Sequence, residues 1–105
     1  GLARLADRPA ASLGYGEQRQ LEIAVALGQD PSLLLLDEPT AGLSVAETGV
    51  LVELVRCLPA TLTVVLIEHD LGVVFDLTDA LTVLLNGRVI ADGPAAAVRE
   101  DPRVK

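Results

Sequence analysis

Aromatic residues are nearly missing from this chain of 105 residues, which contains one tyrosine, one phenylalanine and no tryptophan. Half of the residues are nevertheless hydrophobic. A core must therefore be built from Leu, Val, Ile and Ala, which is typical of α/β proteins with parallel sheets. The length suits one small domain or part of a larger one.

Cysteine and positive charge are also scarce. The single cysteine, Cys57, excludes an internal disulfide and agrees with a reducing compartment. We expect it to be a small buried hydrophobic residue of a helix rather than a reactive thiol. The formal net charge of −7 argues against unassisted binding to nucleic acid or to anionic lipid.

No apolar run approaches the ~20 residues that a membrane-spanning helix needs, and no signal peptide is expected at the start. The chain begins at Gly1 and contains no methionine. This agrees with processing, with a chosen boundary, or with a sequence that starts inside a gene product.

Hydrophobic spacing and turn residues predict the order αβαβα followed by an antiparallel hairpin, with a capping box at Ser44 and Glu47. The expected inner face of the first helix consists of Leu21, Ala24, Val25 and Gly28, and that of the second of Leu51, Leu54, Val55 and Leu58. Both parallel strands lack polar alternation, so we expect them to be buried on both faces. The predicted elements are a helix end and loop at 1–12, a helix at 17–27, a strand at 33–36, a helix at 48–58, a strand at 61–67, a helix at 70–77, strands at 80–85 and 88–90 flanking Asn86-Gly87, a turn at 92–94, an alanine-rich helix and a tail at 101–105.

The most informative stretch is the strand at 33–36, because Asp37 and Glu38 follow it directly. Open α/β sheets bind their ligands at the carboxyl ends of strands. Unpartnered buried charge is costly, so two adjacent carboxylates imply a cation nearby, and nucleotide-bound Mg²⁺ suits oxygen ligands. The alternative is an acidic pair that caps the following helix.

Two further polar features complete a pattern. Residues 13–18 form a glycine-bearing loop that opens a helix, and helix amino termini favour phosphate. Glu68 and His69 close the second parallel strand. A lone histidine at such a place is usually structural, and a lone glycine pair is weak evidence. The three features in this order predict a phosphate-binding site.

These motifs resemble the carboxy-terminal half of an ABC-transporter nucleotide-binding subunit, from about Leu5 to the tail. Leu13–Gln18 resembles the signature loop, Leu33–Glu38 the Walker B strand, Ala41–Ser44 the D-loop and His69 the switch histidine. Within that superfamily, the segments 15–19, 21–24, 67–70 and 101–104 resemble branched-chain amino acid uptake ATPases.

The resemblance implies a fold, a chemistry and partners. Residues 1–105 would be the carboxy-terminal half of the domain, with a partial P-loop NTPase fold of α/β class: parallel strands, flanking helices and a C-terminal antiparallel hairpin. Asp37 would hold Mg²⁺, Glu38 would polarise the attacking water, and His69 would bind the γ-phosphate. ATP held by a second subunit, in a head-to-tail dimer, would be contacted by Leu13, Gly14, Tyr15, Gly16, Glu17 and Ser44.

The same resemblance implies transmembrane permease subunits as further partners and a peripheral location at the cytoplasmic face of the cell membrane. No nucleic-acid partner is expected. The transported substrate lies beyond this sequence, because importer specificity resides in membrane and solute-binding partners.

The chain departs from the family pattern in four ways. Gly14 replaces the usual signature serine, and Ser44 replaces the usual D-loop aspartate. No Gly-x-x-x-x-Gly-Lys-Ser/Thr motif occurs in the 105 residues, and the Q-loop glutamine is absent as well. ATP and Mg²⁺ would therefore require an amino-terminal half, and we expect no turnover from this chain alone.

Two alternatives to an ATPase motor remain at this point. A split or degenerate ABC half could act as a binding module that hydrolyses nothing. Another ABC-type ATPase, of DNA repair or translation, is disfavoured because such proteins usually carry long insertions and the acidic balance offers no nucleic-acid surface.

Overall fold

A computed structural model describes residues 2–104 and divides into two compact units at Ile67. The predicted α/β fold, with parallel strands, flanking helices and a later antiparallel hairpin, is confirmed. The elements are 3-10 turns at Leu2–Leu5 and Ala10–Ser12, then α1 (Tyr15–Leu27), β1 (Leu33–Asp37), α2 (Val45–Arg56), β2 (Thr63–Ile67), α3 (Leu71–Leu77), β3 (Ala80–Leu85), β4 (Arg88–Pro94) and α4 (Ala95–Arg99).

The first unit is built on β1 and β2, which pair in parallel from Leu33 opposite Thr63 to Asp37 opposite Ile67. Alternate residues of a strand point to opposite faces, and one face of this sheet meets α1 and α2. The buried residues that form this core are Ile23, Leu34, Leu36 and Leu51. The core therefore fixes the carboxyl ends of both strands side by side.

The other face of the sheet is exposed, so the prediction that both strands are buried on two faces is wrong for the described chain. Leu35 is 68% exposed and Leu33 49%, and on β2 Ile67 is 58% exposed and Val65 47%. The reason is that residues 2–104 supply helices to one face only, and each strand has a single neighbour in the sheet. We call these four residues the open sheet face.

We expect the chain expressed alone to associate through the open sheet face and the unpaired strand edges. Replacing Leu35 and Val65 together with threonine should raise the monomer fraction in sedimentation velocity, because threonine makes the exposed face more polar while its β-branched shape is still favoured in strands. A matched control is Leu84→Thr in β3, at a residue of similar exposure (65%) in the hairpin. A monomeric unsubstituted chain with a cooperative melting transition would contradict this prediction.

The helices of the first unit differ in detail from their sequence patterns. In α1 the buried residues are Gly16 and Ile23, whereas Val25 is 62% exposed, so the predicted inner face is wrong. Ile23 lies on a second apolar stripe that includes Ala26 and Leu27, and these residues pack on the core. The sequence contains both stripes, and the contact with the core determines which one is buried.

Helix α2 begins after the predicted capping box, which is confirmed: the Ser44 N–H donates to Glu47 Oε2 over 2.9 Å, and the Glu47 N–H donates to Ser44 Oγ over 3.3 Å. Its predicted inner face is also confirmed, with Leu51 only 2% exposed. The expectation of a buried Cys57 is wrong, because the helix ends at Arg56 and Cys57 lies exposed in the C-cap position.

The second unit comprises α3, the β3–β4 hairpin and α4. Asp70 caps α3 as predicted, since its Oδ1 accepts from the Gly72 N–H over 2.8 Å. Asn86 (φ 50°) and Gly87 (φ 74°) form the hairpin turn, because such two-residue turns need positive φ at both positions. Strand β4 continues through the predicted turn to Pro94, where β3 still pairs with it. Within residues 2–104, no helix is long and apolar enough to cross a membrane.

Candidate functional site

Asp37 and Glu38 lie where the sequence predicted them, at the carboxyl end of β1, and both are exposed. The Glu38 N–H donates to the Ile67 carbonyl over 2.8 Å, and the Glu38 carbonyl accepts from Ala41 N–H over 3.0 Å. The Glu38 backbone is therefore held by one hydrogen bond to β2 and one within the turn at residues 38–41.

The backbone of Glu38 is left-handed, with φ 42°. For a residue with a side chain this conformation costs about 1–2 kcal/mol. Strain of this kind persists only where the surroundings impose it, and it concentrates at functional sites. Asp30 and Asn86 also have positive φ, so this conformation supports a functional role for Glu38 only together with its place beside Asp37 at the carboxyl end of β1.

The oxygens of Asp37 suit Mg²⁺, which is usually bound by one or two carboxylates together with water and substrate phosphates. In the part of the chain that the structure describes, no group of three or more His, Cys, Asp or Glu residues could hold a metal ion. The carboxylate of Asp37 fits a Mg²⁺ that arrives with a nucleotide, whose phosphates and water would supply the other ligands.

The loop before α1 is closed by its own hydrogen bonds. The Gly14 N–H donates to Glu17 Oε2 over 3.1 Å, and Gln18 Nε2 donates to the carbonyl of the buried Leu13 over 3.1 Å. Arg4 also pairs with Glu17 at 2.9 Å. The Gly14 N–H, followed by the contact with Arg4, lowers the pKa of Glu17. Leu13, Gly14 and Glu17 therefore shape the loop, and their contacts with ATP stay predictions.

The side chain of Tyr15 reaches from α1 to the loop before α2. Its hydroxyl donates to the Ala41 carbonyl over 3.2 Å and accepts from Arg19 Nη2 over 2.8 Å. The ring lies against Gly42, where a Cβ would be 3.2 Å from Tyr15 Cε1. Gly42 has φ 77°, which favours glycine there for a second reason. Tyr15 therefore connects the predicted signature loop to the predicted D-loop.

Gly16 and Ser44 meet at a single carboxylate, that of Glu47. Ser44 donates to Glu47 Oε2 from its hydroxyl over 2.7 Å and from its backbone over 2.9 Å. A Cβ at the buried Gly16 would lie 2.6 Å from Glu47 Oε1. The Ser44 hydroxyl, the Ser44 backbone and the Gly16 backbone, in decreasing order, lower the pKa of Glu47. Because the pKa of Glu47 is lower in the folded state than in the unfolded state, its hydrogen bonds stabilise the fold at pH values above the unfolded-state pKa. That stabilisation is lost as the pH falls through the folded-state pKa.

His69 belongs to the second unit and is exposed, two residues beyond the end of β2. The next residue, Asp70, is engaged in capping α3 and is thus accounted for structurally. The role of His69 stays a prediction.

Comparison with known proteins now identifies the family. The family model for ABC transporters matches residues 1–41. The branched-chain amino acid transport ATP-binding protein BraF of Pseudomonas aeruginosa is 42% identical over 105 residues, and the alignment covers 98% of this chain. A solved structure of MJ1267, an ATP-binding cassette of an ABC transporter, superimposes with a TM-score of 0.84 at 35% identity over 98% of this chain. The chain belongs to the ABC-transporter ATP-binding proteins.

Other relatives of this family match equally well. LivG of Escherichia coli, described as a high-affinity branched-chain amino acid transport ATP-binding protein, is 42% identical over 99% of this chain. The cobalt import ATP-binding protein CbiO of Rhodobacter capsulatus is 43% identical over 95% of it. The chain covers 41%, 42% and 36% of BraF, LivG and CbiO respectively, which is about two fifths of their length.

Sequence reasoning identified Glu47 only as the partner of Ser44 in a capping box, and it missed the contact with Gly16. It also missed Arg19, which donates to Tyr15 and lies 5.1 Å from the centroid of that ring. The spacing of Tyr15 and Arg19 on one helix could have indicated their contact, because residues four apart are neighbours. No local pattern indicates the contact of Glu47 with Gly16, since it joins two helices.

Proposed function

We propose that this chain is the hydrolytic, signature-bearing part of an ATP-binding domain that powers an ABC importer. The observation that carries the proposal is the strained Glu38 beside Asp37 at the end of β1. The relatives support it, because BraF, LivG and CbiO are all described as import or transport ATP-binding proteins.

The chemistry assigns one task to each residue. When Mg²⁺ is bound, it supplies charge neutralisation at the phosphates, and Asp37 would hold it. Glu38 would accept a proton from the attacking water as a general base, and His69 would hydrogen-bond the γ-phosphate. The amino terminus of α1, with Tyr15 and Gly16, would face ATP held by a second subunit. Positioning and charge stabilisation are the main requirements of phosphoryl transfer.

The open sheet face supports a further part of the proposal. Apolar residues at this exposure on two adjacent strands call for a covering layer. We assign that layer, together with the missing phosphate loop and Q-loop, to an amino-terminal half of the same domain. The complete domain would act as a head-to-tail dimer, bound to permease subunits at the cytoplasmic face of the membrane.

For the cargo we propose branched-chain amino acids, on the motif likeness at 15–19 and 67–70 and on the names of BraF and LivG. Cobalt import is the competing assignment, because CbiO is 43% identical. The motor itself does not contact cargo, so purified permease complexes that carry this chain would decide between amino acid and metal uptake.

The second candidate is a binding module that does not hydrolyse ATP. One observation favours it: the 105 residues contain no Gly-x-x-x-x-Gly-Lys-Ser/Thr motif. The intact Asp37, Glu38 and His69 favour the ATPase, because a module with no turnover has no need of the hydrolytic residues.

A complementation experiment tests the proposal. The encoding DNA is first read upstream for an in-frame phosphate-loop motif, and the corresponding half is produced separately and mixed with this chain. We expect Mg²⁺-dependent ATP hydrolysis from the mixture and none from either half alone. A mixture that binds ATP but releases no phosphate would contradict the ATPase and support the binding module.

A further inference from the structure

One carboxylate lies between two loops that the family resemblance assigns separately to nucleotide contact. Glu47 is half-buried in the first turn of α2. Its Oε2 accepts both hydrogen bonds from Ser44, at 2.7 and 2.9 Å. A capping box needs only this oxygen, because reciprocal capping involves Ser44 and Glu47 alone.

The other oxygen, Oε1, faces α1. It lies 2.6 Å from the position that a Cβ of Gly16 would occupy, and Cγ and Cδ of Glu47 lie 2.9 Å from the same point. The side chain of Glu47 therefore rests directly on the backbone of the first turn of α1, at a residue that is itself buried. A larger residue at position 16 would displace the Glu47 side chain from this contact.

A second contact joins the same two segments independently. The Tyr15 hydroxyl donates to the Ala41 carbonyl over 3.2 Å, and its ring lies against Gly42. The start of α1 and the loop 41–44 are thus connected on two sides, by an aromatic side chain and by a carboxylate.

We infer that Glu47 is a positioning residue that fixes the signature loop (residues 13–18) to the D-loop (residues 41–44), so that the two loops meet the nucleotide of the opposite subunit as one body. This inference rests on the proposed function. The inference assigns Glu47 no contact with ATP or with the reacting water, because its contacts are with Gly16 and Ser44. A helix cap would stabilise α2 alone, whereas this carboxylate also sets the place of α1.

The test uses the complete ATP-binding domain that contains this chain and compares Glu47→Gln with Glu53→Gln. Glutamine keeps the length of the side chain and one acceptor oxygen, but it cannot accept from both loops through a carboxylate. Glu53 is the matched control, because it lies on the same helix, is exposed and pairs with Arg56 at 2.7 Å. Turnover per folded molecule, direct ATP binding by the monomer and the melting temperature are measured for each.

We expect Glu47→Gln to lower kcat about tenfold and to leave the Kd of the monomer for ATP within about twofold, because the phosphate loop of the same subunit holds that ATP. Glu53→Gln should leave both within about twofold of the unsubstituted domain. Unchanged turnover with a lower melting temperature would overturn the inference and leave Glu47 as a helix cap. A loss of ATP binding by the Glu47→Gln monomer as large as its loss of turnover would also overturn the inference. An unsubstituted domain without ATP hydrolysis would instead overturn the proposed function.

Discussion

Replacing Glu38 with glutamine should lower ATP hydrolysis by a factor of about 10²–10⁴, which is the range that a positioned general base contributes. Glutamine is close to isosteric with glutamate, but its amide cannot take up a proton from water at neutral pH. The backbone contacts of Glu38 with Ile67 and Ala41 do not involve the side chain, so the turn at the end of β1 should persist. The measurement is phosphate release by the complete domain, with ATP binding followed in parallel.

Asp30→Asn is the matched control for this substitution. Asp30 also carries a carboxylate on a left-handed residue, with φ 51°, and it lies in the turn between α1 and β1. The Asn variant should hydrolyse ATP at the unsubstituted rate. Retention of more than about a tenth of the activity in Glu38→Gln would refute the general-base assignment, since a tenfold loss corresponds to only ~1.4 kcal/mol.

The elements were largely predictable from sequence because their signals are local. The turn Asn86-Gly87, the Asp70 cap and the Ser44–Glu47 box each depend on residues within four positions of one another, and all three are present. The α/β fold followed from apolar runs too short for helices. Local signals of this kind predict where an element starts, and they say less about which other elements it contacts.

Burial could not be predicted in the same way, because it depends on partners that are distant in sequence. The run Leu33–Leu36 carries apolar residues on both faces, but helices from residues 2–104 cover only the face of Leu34 and Leu36. In α1, two apolar stripes compete, and the core selects the one with Ile23. The exposed Cys57 follows from a helix that ends at Arg56, two residues earlier than its hydrophobic pattern predicts.

The candidate site likewise has features that the local sequence predicts and features that depend on distant contacts. The position of Asp37 and Glu38 at the end of a strand was predictable, since it needs only the strand and its direction. The left-handed conformation of Glu38 was not, because β2 and the next turn impose it. The contact of Glu47 with Gly16 was not predictable either, as it forms only when the starts of α1 and α2 meet.

Gly16→Ala should destabilise the domain by about 1 kcal/mol, the typical cost of a lost helix cap, because the added methyl group displaces the Glu47 side chain from its contacts. The new Cβ would lie 2.6 Å from Glu47 Oε1. The Glu47 side chain would have to move away from position 16, and its hydrogen bonds with Ser44 would be lost or weakened. Turnover should fall together with stability, since the signature and D-loops would no longer be held together. Chemical denaturation and phosphate release measure the two effects.

Gly49→Ala is the matched control, since Gly49 lies on α2 and a Cβ there would meet nothing within 4 Å. Alanine in an exposed helix interior is favoured over glycine by about 0.5–1 kcal/mol, so this variant should be more stable than the unsubstituted domain. A Gly16→Ala variant that gains stability as well would contradict the contact. The decisive measurement is a double-mutant cycle. In a Glu47→Ala background the Glu47 carboxylate is gone, and the cost of Gly16→Ala should largely disappear. If the cost persists there, its cause lies in the backbone of α1 rather than in Glu47.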